Sequence, residues 1–173
     1  GLGAADVLLV GVRLDAGAAL REGGEVLLEA VTGVGAAATA VGVAQAAFEA
    51  ALRYSQQRSA FGQPICQHQA VQLKLADMAT AITAARLLTG RSAERLDHDA
   101  RDEAGAAMAR LAAGETAYLV TLEAMRIHGG YGYTSEFPVE RHYRDAAALL
   151  LGPRDRAAER RRLAARQIGA PAP

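Results

Sequence analysis

Alanine dominates this chain, and alanine is the residue that most favours helix and lets helices approach one another closely. Only 5% of residues are aromatic and five are proline, so there is little material for a sheet core and little to break helices. The apolar residues recur at helical period in three long stretches. From about Glu25 to Arg58, Val41, Ala44, Phe48 and Ala51 form one stripe. A second helix carries Val71, Leu75, Met78, Ile82 and Ala85 on one face and ends near Asp97 to Asp99. A third runs from about Asp102 to Ile127, with Met108, Leu111, Leu119, Leu122 and Met125 as its stripe. Glu115 interrupts that stripe and is expected to be paired within the helices.

The breakers fall between these stretches. Gly23-Gly24 precede the first, Ser59 to Pro64 follow it as a loop, and Gly129, Gly130 and Gly132 end the third. Pro138 opens a shorter helix to about Leu151, closed by Gly152-Pro153. Beyond it, Arg154, Arg156, Arg160, Arg161, Arg162 and Arg166 stand against Asp155 and Glu159, the composition of a solvated helix face. The expected architecture is all-α, an antiparallel four-helix bundle over residues 24–168 with short connections, and a frayed tail over 169–173. Val7 to Val12 is a short apolar run that reads as a strand or the end of one, so residues 1–23 are a β remnant or linker.

Charge and cysteine content narrow the function classes. Nineteen basic and nineteen acidic residues cancel, with a pI near 7.1, which excludes whole-surface attraction to nucleic acid or anionic lipid. Basic charge is carried almost wholly by arginine, Lys74 being the sole lysine, a bias of base composition more than of function. One cysteine, Cys66, rules out an internal disulfide framework and fits a reducing compartment. No uninterrupted apolar run of about 18 residues is present and Gly1-Leu2 open without the charged n-region of a secretory signal, so the expectation is a cytoplasmic protein without a membrane span. The four histidines and Cys66 show no i, i+4 pair and no Cys-x-x-Cys spacing, which argues against a metal. No Gly-x-Ser-x-Gly elbow and no Gly-Lys-Ser/Thr phosphate loop occur.

Two loops carry what chemistry remains. Arg58 stands just before a Phe61-Gly62 turn, followed by Gln67-His68-Gln69. A guanidinium there offers a planar fork for a pyrophosphate, Phe61 an apolar plate, and Gln69 an amide that donates and accepts to a base edge. In His128-Gly129-Gly130, missing side chains let backbone approach a flat ligand. The alternative is plain: Arg58 caps a helix and the glycines turn the chain.

Arg58-x-x-Phe61-Gly62, His68-Gln69, Leu75-Ala76-Asp77-Met78, Gly129-Gly130-Tyr131-Gly132-Tyr133 and Arg144-Asp145-Ala146 occur in the order and spacing of the acyl-CoA dehydrogenase family. From about Glu25 to Leu151 the chain resembles that family's C-terminal helical domain, and the stretch before it resembles the closing strand of the middle β domain. The resemblance implies an oxidoreductase of lipid metabolism, an FAD flavoprotein working as a dimer or tetramer, homo- or hetero-oligomeric, on an acyl-CoA substrate. By position, Arg58 and Phe61 meet the FAD of the neighbouring subunit, His68 and Gln69 lie near its adenine, and Gly129 and Gly130 approach the partner's FAD. Arg126 stands where the family has an FAD-contacting glutamine.

The reaction implied is removal of the α-proton of an acyl-CoA with transfer of the β-hydride to flavin, and it needs a carboxylate base. The family's usual base follows Arg144-Asp145-Ala146 by a few residues, where this chain reads Leu149-Leu150-Leu151-Gly152-Pro153-Arg154. The second family position falls on Thr32 and Gly33. Neither holds a carboxylate, so no catalytic residue is assigned. The N-terminal helical domain and most of the β domain are outside this sequence. Three functions follow from the resemblance: part of an acyl-CoA dehydrogenase, a non-catalytic bundle subunit completing the FAD site of a competent partner, or a flavin monooxygenase of the same fold.

Overall fold

The computed structural model describes residues 8, 10, 12, 13, 15, 17, 24–98, 102–151 and 155–170. Five helices follow in order: α1 (Gly24–Gln57), α2 (Gln69–His98), α3 (Glu103–His128), α4 (Val139–Leu151) and α5 (Arg156–Ile168). Between α1 and α2 lies a hairpin of β1 (Ser59–Ala60) and β2 (Gln63–Pro64), and short 3-10 turns cover Ile65–Gln67 and Gly129–Tyr133. The all-α bundle expected from the periodicity is present. The arginine-rich segment forms a helix of its own.

The bundle is organised around α1 and α3, which share the largest contact; α2 and α4 each pack on both, and α5 lies on α3. The seam is built of small residues. On α1 the buried positions include Ala30, Gly33, Ala37, Ala40, Ala44, Ala47 and Ala51, alternating by three and four residues. On α3 they include Ala106, Ala109, Ala113, Ala117, Val120 and Ala124. This is the spacing of a knobs-into-holes stripe, with knobs no larger than a methyl at most positions. A Cβ built on Gly33 would meet the Ala106 Cβ at 3.5 Å, so the backbones are already in close approach there.

Of the stripe expected on α3 from its large residues, Met125 packs against the core and Leu111 and Leu122 are half-buried, but Met108 and Leu119 are exposed. Their outward turn has a simple cause, since a leucine in the seam would hold α1 and α3 apart and open voids beside every alanine. On α2 the expected face is the buried one, through Met78, Ile82 and Ala85, and it continues through Thr89 and Ser92.

Polar groups fix the ends. Asp102 caps α3 by accepting from the Gly105 N–H at 3.2 Å and pairs with Arg95 Nε at 2.8 Å, while Ser92 Oγ donates to the Gly105 carbonyl at 2.8 Å. Glu115 is paired, as expected, but with Arg156 and Arg160 of α5. Arg110 of α3 and Glu159 of α5, both buried, form a second link, with Nε donating to Oε1 at 3.1 Å. Gly169, at φ +69°, closes α5, and the Ala170 N–H donates to Ala165 O at 2.9 Å. Of the expected tail, residues 171–173 lie outside the described residues, as does most of 1–23. Within Val7 to Val12 the described Leu8, Val10 and Val12 are exposed and in no strand. By length and composition α1 is long and apolar enough to cross a membrane, contrary to the expectation drawn from the lack of an uninterrupted apolar run; its alanine face is the α3 seam.

Candidate functional site

The informative loops meet at one end of the bundle. Ser59 pairs with Pro64 and Ala60 with Gln63, leaving Phe61-Gly62 as a two-residue turn. Both central residues have positive φ, +52° and +81°, the geometry that matches the twist of a tight hairpin. Gly62 adopts it freely; Phe61 does not, and its ring is 98% exposed. A bulky residue held in a left-handed conformation, with its side chain offered entirely to solvent, gains nothing for this fold.

His68 braces the turn from behind. Its Nε2 meets the Ala60 carbonyl at 3.1 Å and its Nδ1 the Gln63 amide Nε2 at 3.1 Å, while its ring stands edge-on to Phe61 at 6.2 Å. With Nε2–H donating to a carbonyl and Nδ1 accepting from an amide, the neutral Nε2–H tautomer satisfies both.

Beside the hairpin, the last turn of α3 ends in His128, which is 2% exposed. Its Nδ1 donates to the Ala124 carbonyl at 2.8 Å, and its ring stacks on Tyr54 of α1 at 4.3 Å and 23°, with Phe137 edge-on at 5.3 Å. Burial holds this imidazole below the ordinary histidine pKa, against the carbonyl that raises it. Gly129 follows at φ +60° and donates its N–H to Arg126 O. No heavy atom lies within 4 Å of a Cβ built on Gly129 or Gly130, so their backbone faces open space. Gly132 differs, since its Cβ would stand 2.5 Å from the Met125 carbonyl oxygen.

These parts enclose a groove of about 510 Å³, within the usual range of small-ligand clefts. Arg58, Gly129 and Gly130 line it, together with Tyr54, Ile65 and Tyr131. Phe61 stands on the adjoining hairpin, and His68 follows the 3-10 turn behind it. Gln69, the exposed first residue of α2, does not line it, nor does Arg126, which is exposed and paired with Glu123. Glu123 also takes Lys74, and these bonds hold its carboxyl below the ordinary range although burial opposes them. Sequence reasoning missed Tyr54 and Tyr131. Tyr54 was signalled by its place one turn before Arg58 on the same helix face.

A second cavity, of about 390 Å³, lies between α1, α3 and α5 and is lined by Thr32, Gly33 and Glu159 among others. None of these three is poised as a base. Thr32 Oγ1 donates to Leu28 O at 2.7 Å, Gly33 packs on Ala106, and Glu159 is held by Arg110. Asp155 caps α5, accepting from the Ala157 N–H at 2.9 Å. The usual base position at 152–154 lies outside the described residues.

The family model described as acyl-CoA dehydrogenase, C-terminal domain, matches residues 30–168. A short-chain specific mitochondrial acyl-CoA dehydrogenase from Bos taurus is 53% identical over 113 residues, which cover 65% of this chain and 27% of that protein. A 3-(aryl)acrylate reductase from Clostridium sporogenes is 42% identical over 68% of this chain and 31% of its own length. Among solved structures, butyryl-CoA dehydrogenase from Megasphaera elsdenii superposes with a TM-score of 0.79 at 36% identity, covering 83% of this chain and 38% of that one. The chain thus spans under two fifths of the length of these relatives, and the family's members are flavoproteins. The helical order, the hairpin and the glycine turn described above are those of one domain of such proteins: the chain belongs to the acyl-CoA dehydrogenase family, as its C-terminal helical domain.

Proposed function

We propose that this chain is the bundle portion of an FAD-dependent acyl-CoA dehydrogenase, and that its hairpin and glycine turn hold part of the FAD. One observation carries the reading: Phe61 is strained and 98% exposed beside a groove that presents Arg58 and open glycine backbone. The residues present fit the cofactor's chemistry. The Arg58 guanidinium, which makes no ion pair among the described residues, suits a pyrophosphate. Phe61 supplies a plate for a flat ring, and Gly129 and Gly130 admit close approach of one. When bound, FAD supplies the acceptor for a hydride. The chain's own residues bind and orient it, and Tyr54, Tyr131 and Ile65 exclude water from the groove wall.

The carboxylate base belongs to another part of the assembly. The two acids that follow the Gly-Pro break are both in structural use, Asp155 as a helix cap and Glu159 in a buried ion pair. This favours a bundle that completes a partner's site. The assembly proposed is an oligomer, acting on an acyl-CoA in the cytoplasm.

An absorption spectrum of the purified chain, taken with its solution mass, tests the cofactor assignment. A flavin spectrum on an oligomer is the expected result; a colourless protein that takes up no FAD alone or with the missing domains refutes it. Dehydrogenation restored by a partner whose own carboxylate is essential supports the division of labour. Turnover of a full-length form abolished by Asp155→Asn, in a variant whose unfolding midpoint is unchanged, defeats it.

A further inference from the structure

His128 is a buried titratable group that the proposed function leaves without a role. It is the hinge between α3 and the glycine turn, and its ring has two distinct faces of chemistry. Nδ1 carries the proton, because it donates to the Ala124 carbonyl at 2.8 Å. In the neutral ring Nε2 therefore keeps its lone pair, and protonation there would create a second donor and a unit charge.

The surroundings do not welcome that charge. From α1 the Tyr54 ring stacks on it, and Arg58, just past the end of α1, lines the same groove. From the segment before α4 comes the Phe137 edge; Tyr131 completes the same aromatic cluster, packing on Phe137 at 5.6 Å and on Tyr54 at 6.5 Å. The hairpin side contributes Ile65. On α3 itself Glu123 and Arg126 pair with each other. Among these neighbours no carboxylate faces the ring, and the one fixed charge on the groove is of like sign. Protonation therefore puts a charge into an aromatic and cationic surrounding that offers it no counter-charge, and the next residue in the chain is Gly129, whose φ of +60° and N–H bond to Arg126 O depend on where the helix ends.

We propose that His128 is a positioning residue for the groove: in its neutral form it holds the Gly129–Gly130 backbone against the Tyr54 wall, and protonation releases that backbone and weakens binding of a flat dinucleotide. The proposal rests on the FAD reading for its ligand, but not for its mechanism. Acid therefore loosens the site even though the ligand is an anion, the opposite of what a simple cationic contact would do.

Two measurements on this chain test it. In NMR spectra of the chain alone, the His128 Cε1–H and the Gly129 and Gly130 amides are expected to titrate with one midpoint, and His68→Asn is expected to leave that midpoint in place. Glycine amides that do not follow His128 overturn the proposal. In fluorescence titrations with FAD between pH 8 and pH 5, affinity is expected to fall by up to about tenfold per pH unit below the midpoint, and to be flat in His128→Phe, which keeps the stack and cannot titrate. Tighter binding on acidification, or a pH dependence retained in His128→Phe, also overturns it. If FAD binds at no pH, either to this chain or with the missing domains present, the cofactor reading fails by itself, and the NMR result still decides the role of His128.

Discussion

Gly132→Ala isolates what the glycine turn requires. An added Cβ would lie 2.5 Å from the Met125 carbonyl oxygen, 2.9 Å from its Cα and 3.1 Å from its carbonyl carbon. A tolerable carbon–oxygen contact is about 3.3 Å, so the overlap is about 0.8 Å. All three atoms are main chain of the last turns of α3, so no side-chain rotation relieves it. The turn has to lift off the helix, at a cost of about 1–3 kcal/mol, as for overpacked cores. With a urea slope of about 2 kcal/mol/M the midpoint of unfolding drops by about 0.5–1.5 M, without a change in slope. Two neighbours calibrate the argument. Gly130→Ala meets nothing within 4 Å and is expected to shift stability by less than about 0.5 kcal/mol. Gly129→Ala meets nothing either, yet its φ of +60° makes it cost about 1–2 kcal/mol. If Gly132→Ala proves as stable as Gly130→Ala, close approach to Met125 is not what the glycine serves.

Three further outcomes are expected. Glu159→Gln removes the carboxylate from the buried Arg110–Glu159 pair and lowers stability by about 3–5 kcal/mol in urea melts, whereas Arg110→Met combined with Glu159→Leu recovers most of it; a loss under about 1 kcal/mol for the single variant would show that the pair is not buried in solution. Phe61→Gly relieves a left-handed non-glycine residue and removes a ring the fold does not bury, so it raises stability by up to about 1 kcal/mol while FAD binding weakens; both moving in the same direction would contradict the assignment. Stability also falls on acidification through His128: its folded pKa is below the unfolded value, so the neutral-form contribution is whole above about pH 6.5 and is lost as pH falls toward the folded pKa, below which the curve is level again. His128→Phe removes that step in pH-dependent melts.

How much of this was legible in the sequence depends on what kind of signal each element left. Helix ends were readable because glycine, proline and capping acids act locally: α1, α3 and α4 begin and end within a residue of where Gly24, Asp102, Gly129 and Pro138 put them. The face of α2 was readable because its large residues do point inward. On α3 the same rule failed, since Met108 and Leu119 point outward and the contact runs through Ala109, Ala113 and Ala117. Alanine carries little hydrophobic contrast, so a seam made of it shows in spacing and not in residue size. The groove was half legible. Arg58 and the glycines announced themselves by chemistry, while Tyr54 left only its four-residue spacing from Arg58, and its stacking on His128 comes from a helix crossing that spacing does not encode. The role of Glu159 was hidden for the same reason, its partner Arg110 being 49 residues away.

The alanine seam has a mechanical consequence. Methyl groups at three- and four-residue intervals make a shallow surface, one that fixes the distance between α1 and α3 far better than their relative position along the axis. A helix pair of that kind behaves as a sliding bearing, and its setting has to be pinned from outside the seam. A pin of this kind stands at the finish of α3, where Tyr54 of α1 stacks on His128. That pin is also the wall of the groove, so any axial play in the pair is felt first where the ligand would lie.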